Sequence, residues 1–373
     1  MKRNFNVFAA LLGLALMLNS CGGSNVKSET NTGDTLTVES QLLTLVDQGN
    51  FVVADIRNPW TGNAELLERY ILVPKEYDGT LPEGTVVKVP LEKSVVYSSV
   101  HGGAIAELNA VDAIAGVADK EYFKVKEVAD RIGSGQIADV GNSMSVSIEK
   151  IVDLSPDAIL MSPFQNKESG AITKIGTPVV QCVDYMESTP LGRAEWIKLV
   201  GILYGQSSKA DSIFTAVSNE YAQLSDFASN LTEKPTVLPE QPMPSGVWNV
   251  PAGDSYMARM IVDASVDYPW ADSKGVGSLN LDAAAVLDEA GGADCWVIRS
   301  YGPLRLSDLE SSNPLNKHIK AFNSGNVYVC DTSVSPLFDE FPFHPELLLR
   351  EYIKMFHPAA LPDYELRYFV RAN

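Results

Sequence analysis

The stretch Val146-Ser147-Ile148-Glu149-Lys150-Ile151-Val152-Asp153-Leu154-Ser155-Pro156-Asp157-Ala158-Ile159-Leu160-Met161-Ser162 decides the fold. Its first half carries apolar residues at helical spacing, Ser155-Pro156 breaks the helix, and Ala158 to Ser162 reads as a short buried strand. The same order of elements returns far downstream. Leu279-Asn280-Leu281-Asp282-Ala283-Ala284-Ala285-Val286-Leu287 reads as a helix, and Gly291-Gly292-Ala293-Asp294-Cys295-Trp296-Val297-Ile298-Arg299-Ser300 as a turn and a strand. Behind a glycine turn, each copy is followed by another strand, Val179 to Asp184 after the first and Val327 to Asp331 after the second. Such an alternation, repeated, predicts an α/β chain with two similar lobes.

Between the copies lie two helical stretches without internal proline, Arg193 to Tyr204 and Ser207 to Leu231. Ser207 is placed to cap the second, and Pro235 stands just past its end. At ~1.5 Å rise per residue this helix approaches ~40 Å, enough to bridge two lobes as a stiff spine. A last amphipathic helix, Pro345 to Phe356, closes the chain against a lobe. Upstream, Phe51 to Ile56, Tyr70 to Pro74 and Thr85 to Pro90 are strand-like runs separated by Pro, Gly and Asn. The expectation is therefore two Rossmann-like lobes with central β-sheets, joined by a long spine helix, plus a small N-terminal β extension. Its boundaries are a β extension at 35–93 packed on the N-terminal lobe, that lobe at 94–192, a helical spine at 193–234 and a C-terminal lobe at 235–373.

The chain begins with Lys2 and Arg3, an apolar run from Val7 to Leu18, and small residues before Cys21. This is the layout of a secretory signal over 1–20, too short for the ~20 residues of a spanning helix. Leu18-Asn19-Ser20-Cys21 resembles a lipobox, although Asn19 replaces the usual small or apolar residue; the resemblance implies cleavage before Cys21 and a lipid on it. Residues 21–34 are Ser/Thr/Asn/Gly-rich and read as a flexible tether to a membrane. A net charge of -18 over 373 residues makes nucleic acid an unsuitable partner. Beyond Cys21, only Cys182, Cys295 and Cys330 occur, without metal-ligand spacing.

The leader, the Ile148 to Leu160 segment, the spine helix and the repeated lobe together resemble the class III (helical-backbone) solute-binding proteins, over roughly Ser94 to Pro358. These serve ABC importers of iron-siderophores, haem and cobalamin. The resemblance implies a monomeric receptor in the cell envelope, on the periplasmic side, with a permease and an ATPase as partners. It also implies that Glu149, and Asp282 as its counterpart, lie on the outer surfaces of the lobes and dock on the permease. No enzymatic activity and no resident cofactor are expected; the cargo is an iron chelate, haem or cobalamin. A scavenger or sensor that does not serve transport is the alternative, and a hydrolase on a two-lobed scaffold is less well supported.

In α/β lobes, ligands bind beyond the carboxyl ends of the strands. That rule selects Ser99, His101, Phe164 and Tyr185 in the first lobe and Trp248, Arg299, Tyr301 and Phe338 in the second. With Arg131, which precedes Ile132-Gly133-Ser134-Gly135, they suit a large, flat, partly anionic ligand, with Arg131 and Arg299 as anion anchors. His101 stands at a strand end facing the cleft, where it can ligate a metal axially. Four scattered histidines do not make a zinc or manganese cluster. No Gly-x-Ser-x-Gly elbow, His-Glu-x-x-His helix or phosphate-cradling Gly-x-x-x-x-Gly-Lys loop occurs. The Gly102-Gly103 pair resembles an oxyanion-hole loop, but no nucleophile stands on a strand-to-helix turn after it.

Overall fold

The computed structural model describes residues 33–61, 65–163 and 170–373. The leader, Cys21 and Phe164 lie outside the described residues. β1 (Asp34–Thr35), β2 (Leu43–Asp47), β3 (Val52–Arg57), β4 (Leu66–Pro74) and β5 (Thr85–Val89) form one sheet in chain order. Only the β4–β5 pair is parallel. Leu43, Leu45, Ile56, Tyr70 and Leu72 of this sheet share one apolar core with Val96, Ile105 and Leu160 of the following lobe. Two fully buried carboxylates fasten the segment before β2. Glu195 accepts from the backbone N–H groups of Val38, Glu39 and Ser40, and Glu187 from those of Gln41 and Leu42 and from the Trp196 indole. Such charge-assisted bonds to main-chain donors offset the cost of burying the acids.

The N-terminal lobe comprises β6 (Ser94–Val96), α1 (Ser99–Glu107), β7 (Ile114–Ala118), α2 (Lys126–Gly133), β8 (Ala138–Asn142), β9 (Ser145–Val146), α3 (Ile148–Leu154), β10 (Ala158–Met161) and β11 (Val179–Gln181). Its sheet runs β11-β10-β6-β7-β8-β9, parallel except for β9. Next come α4 (Pro190–Ala194), α5 (Ile197–Leu203) and α6 (Ser207–Ser229). The first expected spine helix is thus split at Glu195 and Trp196, where both side chains turn inward to hold the extension. Ser207 does not cap α6: it is the first helical residue, after Gln206, which makes no side-chain cap bond.

The 23-residue α6 is ~34 Å long and buries Ala210, Phe214, Val217, Tyr221, Leu224 and Ala228, one stripe at heptad-like spacing. The first three belong to the core of the N-terminal lobe and the last three to that of the C-terminal lobe. A single helix therefore carries side chains of two cores, which is what makes it a spine.

The C-terminal lobe contains β12 (Val237–Pro239), β13 (Val247–Pro251), α7 (Tyr256–Asp263), β14 (Ser278–Asp282), α8 (Ala283–Ala290), β15 (Cys295–Ser300), α9 (Leu306–Ser312), α10 (Lys320–Ser324), β16 (Val327–Asp331), α11 (Leu337–Glu340), α12 (Pro345–Phe356) and β17 (Val370–Arg371). Its main sheet runs β12-β15-β16-β17, with β13 and β14 as a separate antiparallel pair. The closing helix α12 has the expected bounds. Leu279 to Asp282, expected as helix, is the strand β14, because Ser278-Leu279-Asn280-Leu281-Asp282 alternates with period two and packs its leucines inward.

That correction makes the repeat more regular. Each copy is an antiparallel strand (β9, β14), a helix (α3, α8) and a parallel strand (β10, β15). Ser147 caps α3 by accepting from Lys150 N, and Asp282 caps α8 by accepting from Ala284 N. Four residues past each cap stand the buried Ile151 and Val286. In this alignment Asp282 matches Ser147, and the position of Glu149 is taken by Ala284.

Candidate ligand-binding cleft

Every strand of the two main sheets, the antiparallel β9 and β17 aside, delivers its carboxyl end to one region between the lobes. Beyond β6 stand Tyr97, Ser98 and Ser99; beyond β12, Glu240; beyond β15, Tyr301; beyond β16, Thr332 and Phe338. One cavity of about 680 Å³ is walled largely by the C-terminal lobe, with Tyr185 reaching in from the other. A second, of about 360 Å³, is walled by both lobes. Tyr301, Thr332 and Phe338 line both, so they form one cleft of the size that accommodates a small molecule. At its waist Tyr122 meets Tyr301 edge to face, ring centroids 6.2 Å apart.

Of the residues selected from sequence, Ser99, Tyr185, Arg299, Tyr301 and Phe338 line this cleft. The Tyr185 hydroxyl donates to Pro163 O, presenting the ring to the larger cavity. Phe338 is on a short helix, 40% exposed, with the Arg299 guanidinium 5.8 Å from its ring.

Three selected residues are elsewhere. Arg131 ends α2 on the outer surface, bound to Asp112 and to Glu127 one turn earlier, and lines neither cavity. Trp248 is fully buried on β13, its indole donating to Pro239 O at 2.9 Å, because the alternation of β13 points it inward with Val250. His101 is on α1, 2% exposed, facing the core; Nε2 is 3.0 Å from Asp184 Oδ1. No ligand reaches it there, so axial ligation is withdrawn. The Gly102-Gly103 pair is helical, and a Cβ on Gly103 would meet Asp339 O at 2.1 Å. Its role is the close approach of α11 to α1.

His101 belongs instead to a buried network that crosses between lobes. Asp184 accepts from His101 and, at 3.1 Å, from Arg193 Nε, while Arg193 Nη1 donates to the hydroxyl of Tyr256 in the C-terminal lobe. The guanidinium also lies 4.7 Å from the Tyr256 ring centroid. Burial alone would raise the Asp184 carboxyl, but Arg193 and His101 outweigh it and hold its pKa at about 2. For His101, burial works against the charge, and Cys182 and Asp184 hold its pKa well above the ordinary value. Tyr256 lines the larger cavity, so the network ends on the cleft wall. Two more ties cross the lobes. Asp339 accepts from Lys124 N and Val125 N at 2.6 and 2.8 Å, and His344 bonds Glu107 at 2.7 Å.

Sequence reasoning missed the principal polar group of the cleft, Glu240. It follows a three-residue strand, has φ +62, and contacts Arg299 through the guanidinium Nε and Nη2, with Nε to Oε1 at 2.6 Å. Its Oε2 also accepts from Arg299 N at 3.3 Å. Asp119 at the end of β7 has φ +47 and accepts from Ser143 N. The other non-glycine residues with positive φ, Asn109, Ser155 and Ser265, sit at helix carboxyl ends. Backbone strain of order 1–3 kcal/mol is thus kept at two acids of the cleft wall. Glu149 is exposed in the first turn of α3; Asp282 is exposed too, with its carboxylate engaged as the α8 cap.

A family model for periplasmic binding proteins matches residues 95–334, leaving the β extension outside the match. An uncharacterized lipoprotein of Methanocaldococcus jannaschii is 25% identical over 297 residues, covering 77% of this chain and 70% of its own length. A periplasmic heme-binding protein of Pseudomonas aeruginosa has a similar fold, with TM-score 0.59 at 15% identity over 76% of this chain and 98% of its own. The molybdate periplasmic binding protein of a Haemophilus influenzae ABC transporter gives TM-score 0.59 at 17% identity, covering 75% and 90%. With two α/β lobes on a spine helix, a cleft at their strand ends and a model match spanning most of both, the chain belongs to the periplasmic binding protein family, in its helical-backbone class.

Proposed function

We propose that this chain is the solute-binding receptor of an ABC importer, which captures a metal chelate between its lobes and delivers it to a permease and its ATPase. A ferric siderophore is the first choice of cargo, with haem and cobalamin behind it. The observation that carries this reading is the cleft: aromatic rings and hydroxyl groups from both lobes converge on a space large enough for a chelate, with the metal already wrapped. Among the described residues no group of His, Cys, Asp and Glu is arranged to hold a bare metal ion. The similar Pseudomonas protein is named for binding heme and the Haemophilus one as the molybdate-binding protein of an ABC transporter, which supports a bound and transported solute.

The receptor is exported, held to the membrane through a lipid on Cys21, and works as a monomer. Named lipoprotein relatives support the anchor. Among the described residues no helix is long and apolar enough to cross a membrane. Glu149 is the docking carboxylate of the N-terminal lobe, and Asp282 is the nearest acid at the corresponding helix end of the other. The test is mass spectrometry under non-denaturing conditions on protein purified from its own membranes. A bound metal chelate is expected; reproducible recovery of a different class of solute overturns the reading.

A further inference from the structure

The cleft walls carry a specific charge pattern. Among the described residues lining the two cavities, the charged side chains are Glu240, Arg299, Asp119, Lys124 and Asp339. Three are carboxyl groups and two are cations. Arg299, the cation that lines the larger cavity, is already engaged by Glu240, whose backbone is in the left-handed conformation. Its remaining face lies against Phe338. Lys124, in the smaller cavity, shares that wall with Asp119 and Asp339. The rest of the lining is aromatic rings, prolines, methionines and hydroxyls.

A polyanionic ligand entering this space either displaces Glu240 from Arg299, leaving a partly buried carboxylate without its partner, or sits beside the intact pair and is repelled by that carboxylate with no compensation from Arg299. Uncompensated charge in a cleft of low dielectric costs far more than the same charge in water. A ligand with no net negative charge meets none of this opposition. Its π-faces and amide or hydroxamate groups find rings and hydroxyls ready, and a positive charge is favoured by the excess of carboxyl groups.

Resting on the chelate-receptor reading above, we infer that this cleft selects metal chelates of neutral or positive overall charge and rejects polyanionic ones, with the Glu240–Arg299 pair as the selecting element. The anion-anchor role expected of Arg299 is thereby replaced by a role in exclusion.

The test is isothermal titration of the full chain with three probes: a cationic iron–trihydroxamate complex, neutral cyanocobalamin and a trianionic iron–tris-catecholate complex. At least one of the first two is expected to bind at least tenfold more tightly than the third. If that probe is neutral cyanocobalamin, its affinity should not fall as salt is raised from about 0.05 to 0.5 M; if it is the cationic complex, its affinity falls as attraction to the carboxyl groups is screened while it stays tighter than the trianion, whereas capture of the trianion by a cationic site weakens with salt from a tighter starting value. Glu240→Gln, which frees the Arg299 charge, should narrow the gap about tenfold. Tightest binding of the trianion to the unaltered protein, weakening with salt, overturns the inference and leaves the receptor reading intact. Folded protein that binds none of the three overturns this inference, and if it does not bind haem either, the receptor reading falls with it. The salt series on unaltered protein keeps the test decisive should the variant fail to fold.

Discussion

The two copies of the repeated unit end in acids that do opposite things. After the strand that follows the first copy, Asp184 is buried between His101 and Arg193 and ties the lobes together. After the corresponding strand of the second, Asp331 stays partly exposed, accepting from Ser333 N and Gly302 N to shape the loop that leads to Phe338. The same chain pattern thus supplies a structural clamp on one side of the cleft and a loop of its wall on the other. What decides between them is the partner: an arginine on α4 reaches Asp184, and none reaches Asp331.

The largest expected effect breaks the clamp. Asp184→Asn leaves the buried Arg193 guanidinium without its anion and should cost about 3–5 kcal/mol of unfolding free energy. Asp331→Asn, whose bonds compete with water, should cost less than about 1 kcal/mol. Denaturant titration of the two variants checks the difference, and equal losses would contradict the assignment. The pH dependence follows from the same contrast. Because the pKa of folded Asp184 lies near 2, below the ordinary carboxyl value, its contribution is full above about pH 4 and is lost as pH falls through about 2. Asp184→Asn should flatten stability over that acid range, as measured by thermal melts at stepped pH.

Next in size is the wall itself. Phe338→Ala removes a ring shared by both cavities and should weaken ligand binding about tenfold or more, with little loss of stability because the ring is partly exposed. Calorimetric titration with the bound chelate reads this directly. Trp248→Phe, by contrast, should leave affinity unchanged and lower stability, since the indole is a core group.

The smallest effects sharpen the comparison of the two helix starts. Ser147→Ala and Asp282→Ala each remove a cap and should each cost about 1 kcal/mol. Glu149→Ala removes an exposed acid that caps nothing, so stability should change by less than about 0.5 kcal/mol while uptake in cells falls. If Asp282→Ala impairs uptake without lowering the melting temperature, the second lobe docks through Asp282 despite its capping role.

How far the sequence reveals this follows the same physics. The two lobes, the β extension and the closing helix are legible because long periodic runs and proline breaks are local signals. Phasing of the repeat was lost at Ser278 to Asp282, where two leucines fit either period until the strand pairing with β13 is seen. Arg131 carried a readable warning: Glu127 stands four residues earlier, the spacing of a helix-surface ion pair. Trp248 did too, since alternation with Val250 marks it as inward. The fate of His101 was not readable, because it depends on an aspartate 83 residues away. Nor was Glu240, just past a three-residue strand that ends in proline and has no periodic signature.

The central claim is that one ligand site spans both lobes at the strand ends. Hydrogen exchange with and without the bound chelate tests it most directly. The account predicts coincident slowing at residues 97–99, 240–243, 299–301 and 332–338, with residues 34–60 and 126–133 unchanged. Protection confined to one lobe, or appearing on the β extension instead, would contradict it.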